Sequence, residues 1–523
     1  MGGPADKTPP ALTESTPMNE SVEVNPEFIR LTFTDYLDEA SFTQAFSITP
    51  IPSGQRRLSW RGRSVTVRFD DEWRDSTTYV ITLDTRLRSW RGVGLLRPII
   101  VAFATGPVID QGHLRGRAVE PLRGGAAEGL SVFALDSQDL EAEPSYVTST
   151  GEDGQFDLSY VREAEYFVIV LDDANRNRRP DPTERFAVPP QPWIRASADT
   201  TAPRAAWVIG RLDTLAPAID RVRAMSAVRL SVRFTEAIMM SQRRADQWTL
   251  ADSATGVARN VQQVYGRLND PLMLFLLTDS LDDRTWSLSP DVTLTDSTGN
   301  GVAIERAFFT GRVREDTTRV RFLGFLPEAP AAEIPLSPRD YPSLEFNQPV
   351  ADSTIARMVQ VSDSLGQDIP FSTSTMSGSV YRLTIDHGDY ARVTVHLPKA
   401  DISQGYRRLT ARDLGSLSGV AVPGGTQIMV ELFPEHGNRP YAQTRADDAG
   451  MFLFDQLPAE SFMIRAFHDR NGNGRWDAGA ISPFVAAEPI AWLSEPLSVR
   501  PRWDTAAADT LRLIPPDSPY YRN

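Results

Sequence analysis

Cysteine is absent from the 523 residues, which excludes a disulfide framework and any thiolate metal site. Lysine is nearly absent: Lys7 and Lys399 are the only two. Basic charge is carried by arginines that form no phosphate-binding stripe. The five histidines, His113, His387, His396, His436 and His468, are scattered without His-x-x-x-His or His-Glu-x-x-His spacing, so the common zinc motifs are missing. Neither a Gly-x-Ser-x-Gly elbow nor a P-loop occurs. No apolar run approaches the roughly 18–20 residues that span a bilayer. The start, Met-Gly-Gly-Pro-Ala-Asp, lacks the regions of a signal peptide, so the chain is either cytosolic or separated from its export segment. The net charge of −14 is spread along the chain, which disfavours a nucleic-acid partner.

What is present is mostly strand. Ile29-Arg-Leu31-Thr-Phe33 alternates apolar and polar residues, and so does Val228-Arg-Leu230-Ser-Val232-Arg-Phe234, with Arg229, Ser231 and Arg233 on the polar face. Such strands bury one face of an antiparallel sheet. Runs such as Tyr166-Phe-Val-Ile-Val170 and Ile428-Met-Val430-Glu-Leu432 are β-branched or aromatic and bounded by turn residues. Short strands with this punctuation indicate β-sandwiches.

Two repeats organise the chain. Residues 144–181, containing Gly154-Gln155-Phe156, return at one constant offset as residues 440–477, containing Gly450-Met451-Phe452. Both copies open on a similar strand, Leu114-Arg-Gly116 and Leu417-Ser-Gly419, and close on Asp213-Thr-Leu215 and Asp509-Thr-Leu511. A second repeat runs over residues 10–106 and 217–311, closing on Phe103-Ala-Thr105-Gly106 and Phe308-Phe-Thr310-Gly311. A third instance of it starts near Thr318 and lacks that closing motif. A chain that reuses small β units is more often a modular surface protein than a single-site enzyme.

The stretch Gly2-Gly3-Pro4-x-Asp6-x-x-Pro9-Pro10, followed by Ser15-Thr-Pro17-x-Asn19-x-Ser21, Ile29-x-Leu31-x-Phe33, Thr77-Thr78-Tyr79 and Phe103-x-Thr105-Gly106, resembles the bacterial Ig-like domain at the N-terminus of Bacteroidota envelope lipoproteins. That resemblance implies a lipidated cysteine and signal peptide upstream of these residues, and no catalytic activity. The smaller repeated module resembles transthyretin-like, carboxypeptidase-regulatory or Cna B-type sandwiches. The expected architecture is all-β, tandem sandwiches in a multidomain rod. It comprises a tether (1–9), a first Ig-like domain (10–107), a first transthyretin-like module (108–215), a second Ig-like domain (216–316), a third (317–407), a second module (408–514) and a tail (515–523).

The best candidates for a site are the Asx loops of the modules. Oxygen side chains at alternate positions of a tight loop can converge on one hard cation, as in an EF-hand. In the first copy Asp173, Asn175, Asn177, Asp181 and Glu184 fill positions 1, 3, 5, 9 and 12, but Arg178 replaces the turn glycine. In the second, Asp469, Asn471, Asn473 and Asp477 accompany Gly474, but position 12 is Ala480. The loops are either weak calcium sites, suited to the millimolar calcium found outside the cytoplasm, or Asx turns that satisfy their own backbone. Trp476, inside the second loop, is expected to be exposed, while Trp60, Trp73, Trp90, Trp193 and Trp492 are expected to pack in cores.

No catalytic set emerges; Asp70-Asp71-Glu72 and Asp282-Asp283 read as loop residues. The expected function is a non-enzymatic, extracytoplasmic scaffold, an outer-membrane lipoprotein facing a protein or polysaccharide partner, with membrane contact only through its anchor. The competing reading is a carbohydrate-active or peptidase-associated envelope protein, which two carboxylates roughly 5–10 Å apart in a cleft would favour.

Overall fold

The computed structural model describes the chain apart from residues 1–6, 51, 53, 71, 182–183, 199–205, 212–214, 240–243, 292, 297–298, 304, 328–330, 386–390 and 516–523. Gly2, Gly3, Pro4, Asp6, Asp71, Asp213, Thr214 and His387 therefore lie outside the described residues. Among those described, nearly all regular structure is strand, with two short α-helices, Glu39–Ala45 and Asp352–Met358.

The alternating strands behave as their pattern dictates. In Ile29–Phe33 the residues Ile29, Leu31 and Phe33 are buried, as are Leu230, Val232 and Phe234 in Arg229–Phe234. Each sits second in a four-stranded sheet. The first sheet runs Leu12–Thr16, Ile29–Phe33, Ser64–Phe69, Arg56–Arg61; the second runs Ile219–Ser226, Arg229–Phe234, Asp270–Thr278, Val261–Arg267. The third Ig-like segment has the same order, Phe322–Leu326, Ser343–Phe346, Val380–Ile385, Phe371–Ser377, despite its missing motif. In that domain Ile402–Arg408 supplies the closing strand, with Tyr406 buried in the core.

The two modules share the pairing of their opening strand. In the first, Gly112–Val119 pairs antiparallel with Gln155–Val161 and parallel with Ala206–Val208. In the second, Leu414–Val422 does the same with Met451–Pro458 and Asp504–Ala506. The duplicated glycines have a packing reason. Gly116 lies opposite Phe156 and Gly419 opposite Phe452, and a Cβ at either glycine would stand 2.5 Å from the facing ring. Substituting Gly419 by alanine should cost about 1–3 kcal/mol through overpacking, read as a lower denaturant midpoint for the second module. A midpoint unchanged from the wild type would show that the ring moves freely.

The long apolar runs are buried on both faces. In the first module Tyr166, Val168 and Val170 fill the sandwich core, while Phe167, Ile169 and Leu171 face outward into another cluster with Phe133, Leu135, Phe186 and Val188. That second cluster is completed by Ile481, Phe484 and Ala478 of the second module. In return, the loop around Pro121 reaches the second module. The Pro121 carbonyl accepts from Arg465 Nη1 at 2.9 Å and from Trp492 Nε1 at 3.0 Å, and Trp492 lies against Gly124.

The tandem sandwiches are thus not strung end to end as a rod. The first and second modules, separated in sequence by two Ig-like domains, are in direct contact. The second and third Ig-like domains join where Arg229 donates to Gln348 and the Leu268 amide donates to Glu345 at 2.9 Å, and the third joins the second module through Arg339 and Asp455 at 3.0 Å. Contacts thus run from the second Ig-like domain to the third, from the third to the second module and from the second module back to the first, and the first Ig-like domain is held to the first module through Arg97–Asp153 at 2.6 Å.

Candidate cation-binding loops

Each Asx loop follows an inner strand of its module, after Glu165–Leu171 in the first and Ser461–His468 in the second. The two loops reproduce each other's hydrogen bonds. The Arg178 amide donates to Asp173 Oδ2 at 3.2 Å, and the Gly474 amide to Asp469 Oδ2 at 3.1 Å. Asn175 and Asn471 accept from the amides two residues on at 2.9 and 3.0 Å, and Asn177 and Asn473 do likewise at 2.8 and 2.7 Å. The Asn177 and Asn473 side-chain amides each donate to Oδ2 of the closing aspartate, Asp181 or Asp477, at 3.0 Å, and those of Asn175 and Asn471 turn to the same oxygens. Five of the nine predicted ligands are brought together in the first loop and four in the second.

The missing turn glycine leaves no trace in the backbone. Arg176 and Arg178 adopt the left-handed φ values of 62° and 60°, where the second copy has Gly472 and Gly474 at 75° and 76°. A non-glycine residue in this region costs roughly 1–2 kcal/mol. Arg176→Gly should therefore stabilise the first module by up to about 1 kcal/mol, the remainder being offset by the entropy glycine gains on unfolding. Thermal unfolding would reveal it; a loss of stability would contradict it.

The second loop does have a closing acid, displaced along the chain. Ala480 does not close the second loop; Glu488 does. Glu184 Oε1 accepts from the Ala174 amide at 3.1 Å and Oε2 from the Asp181 amide at 3.2 Å; Glu488 accepts from the Arg470 and Asp477 amides at 2.7 and 3.1 Å. Residues 182–183 separate the two acids in the first copy and residues 478–487 in the second, so a constant offset misses the equivalence. Any acid a short distance beyond Ala480 was the available signal. Trp476 is not exposed either: it is half-buried, with Nε1 donating to the Glu488 carbonyl at 2.8 Å. Trp90, in contrast to a core role, is largely exposed.

Each loop leaves one buried oxygen without a hydrogen-bond partner, Asp173 Oδ1 and Asp469 Oδ1. Asp469 is 1% exposed. Burial, assisted by the charges of Asp477 and Asp469, pushes the Glu488 carboxyl up to about 7 against the hydrogen bonds from the Arg470 and Asp477 amides. Glu184 is also raised, with burial the largest cause. Among the described residues no three His, Cys, Asp or Glu side chains already surround a common metal position. The loops' donors are mixed, carboxylates interleaved with Asn oxygens that each accept one amide and keep a second lone pair.

A separate cavity of about 450 Å³ lies where the first Ig-like domain meets the first module, lined by Arg97, Arg115, Arg117, Asp153 and Asp157 among others. Its carboxylates are paired, Asp153 with Arg97 and Asp157 with Arg115 and His113.

Residues 6–105 match the family described as bacterial Ig-like domain, which gives the first sandwich its class. No curated protein matches the chain. Solved structures similar to it include the N-terminal part of the bacterial S-layer protein SbsC, at 13% identity over 38% of this chain and 45% of that one with a TM-score of 0.18. The Bacillus anthracis TIE protein is 9% identical over 98% of this chain and 76% of that one, TM-score 0.14. Native alpha-2-macroglobulin from Escherichia coli, spanning domains MG0-NIE-MG1, is 11% identical over 55% and 97%, TM-score 0.16. The chain spans less than half of the first of these, and at such TM-scores none bears on function.

Proposed function

We propose that this chain is a non-enzymatic scaffold of the bacterial cell envelope, exported, held at the outer membrane by a lipid anchor, and presenting its sandwich surfaces to a protein or polysaccharide. The observation that carries this reading is the contact that brings the second module back onto the first. The duplicated modules clamp each other, so relative domain motion, the default for joints that bury little surface, is restrained at several points. The likeness of residues 6–105 to bacterial Ig-like domains supports placement outside the cytoplasm. Paired carboxylates in the cavity beside Arg97 favour binding or structure over acid–base catalysis there.

Gly210 provides the test. A Cβ at this position would stand 2.0 Å from Ala478 Cβ across the module contact, so Gly210→Leu forces the modules apart. Small-angle scattering should show a compact wild type and a larger radius of gyration for the variant, with the β signature in circular dichroism retained. A wild-type profile of a flexible string, or an unchanged variant, would refute the scaffold. Placement is tested in the native cells, where the chain is expected in the membrane fraction carrying an acyl label; recovery as an unlabelled cytosolic protein would refute it.

A further inference from the structure

We infer that the second Asx loop binds one hard divalent cation, calcium by its donor set, and that its carboxylates Asp469, Asp477 and Glu488 thereby close the base of the hairpin through which the second module docks on the first.

Three independent features converge. Asp469 is almost fully buried, its Oδ2 faces the loop through the Gly474 amide, and its Oδ1 has no partner. A buried carboxylate oxygen left unpaired is costly, and a cation within the loop would satisfy it. The charges are also unbalanced. Asp469, Asp477 and Glu488 share the loop, and Arg445 lies beside them, 3.4 Å from Asp469 Oδ2, the oxygen that also accepts from the Gly474 amide, so that Oδ1 is left without a partner; Arg470 and Arg475 are exposed. Asn471 and Asn473 add neutral oxygens, and a flexible mixture of carboxylate, amide and backbone oxygen suits calcium better than the smaller, strictly octahedral magnesium.

The third feature gives the site a purpose. Residues 478–487, which the first module lacks, lie between the acids Asp477 and Glu488. They turn back through paired Ala480 and Val485 amides and carbonyls, each at 2.9 Å. This insertion carries Ala478, Ile481 and Phe484 into the apolar face of the first module, where Phe484 meets Phe167 with ring centroids 6.1 Å apart. The Glu488 amide donates to the Asp477 carbonyl at 2.9 Å, so the two acids already meet at the hairpin's base. A cation held by both fixes that base, and by linkage docking must strengthen cation binding as much as the cation strengthens docking.

The docking half of this inference rests on the scaffold reading; the cation half does not. The test uses the full chain in an Asp173→Asn background, which silences the first loop. Calcium is titrated calorimetrically, and amide exchange over residues 478–487 is followed with calcium or chelator. Expected are a dissociation constant on the order of 10⁻⁴ to 10⁻³ M and slower exchange of the hairpin with calcium. Glu488→Gln should weaken binding by on the order of tenfold, as affinity follows ligand charge. Phe484→Ala, which touches no ligand, should weaken it roughly fivefold or more. If Glu488→Gln does not fold, Asn471→Ala on the exposed loop replaces it with the same expected direction. No heat and no change in exchange at millimolar calcium overturn the site, and leave the scaffold intact if the scattering result holds. Binding that Phe484→Ala leaves unchanged, with unaltered hairpin exchange, overturns the clamp.

Discussion

Replacing Glu431 by alanine is expected to destabilise the second module by about 3–5 kcal/mol, while replacing Glu431 and Arg465 together by leucine and methionine costs far less. The two residues are direct cross-strand partners on the outer face of the inner sheet. Glu431 is 2% exposed; its carboxylate accepts from Arg465 Nε and, at 2.6 Å, from Gln443 Nε2. Arg465 stacks over Phe433 at 4.9 Å and reaches the Pro121 carbonyl of the first module. Removing one charge leaves the guanidinium buried without its counter-ion, and the loss exceeds what the pair itself contributes. The double variant removes both desolvation penalties and keeps the apolar volume. Denaturant unfolding of the single and double variants decides it: equal losses in both would mean that packing, not the uncompensated charge, sets the cost. Because Arg465 also holds Pro121, the single variant should loosen the module contact as well.

That pair also marks where the sequence stops being readable. The alternation of Ile29–Phe33 states its buried face, and the structure agrees. The run Ile428-Met-Val430-Glu-Leu432 reads as a strand, but a continuous run means burial on both faces, and nothing local says what covers the second one. A chain folding back on itself brings together residues hundreds of positions apart, and pattern within a window cannot express that. Arg229 shows the same limit from the other side: its place on a polar face suggests solvent, yet it is 7% exposed because the third Ig-like domain covers it. The loops were legible through Asp469, Asn471, Asn473 and Asp477. Glu488 was not, because the hairpin inserted before it shifts the closing acid, and Arg178 looked like a defect because residue type says nothing certain about φ.

Asp316→Ala is expected to cost a similar 3–5 kcal/mol, by stranding Arg229. Arg229 Nε donates to Asp316 Oδ2 at 2.8 Å, Nη2 donates to Gln348 Oε1 at 2.6 Å, and Nη1 meets the Tyr265 hydroxyl. The guanidinium thus ties the second Ig-like domain to the third and to the segment joining them. Burial acts to raise the Asp316 carboxyl, but hydrogen bonds from Thr318 and Arg229 and the Arg229 charge outweigh it, and the group is held below its ordinary value. A carboxyl depressed in the folded state binds fewer protons there than in the unfolded chain. Its stabilisation is complete above the unfolded value, near 3.9, and is lost as pH falls through the lower folded one. The wild type should therefore lose stability in acid at this joint, and Asp316→Asn, which cannot titrate, should lose less between about pH 5 and pH 2. Parallel pH profiles of the two proteins would show that Asp316 carries no such linkage. Arg229→Met with Asp316→Leu separates charge from geometry. It should recover most of the stability, yet leave the joint between the domains more mobile, because Gln348 and Tyr265 then have no shared donor across it.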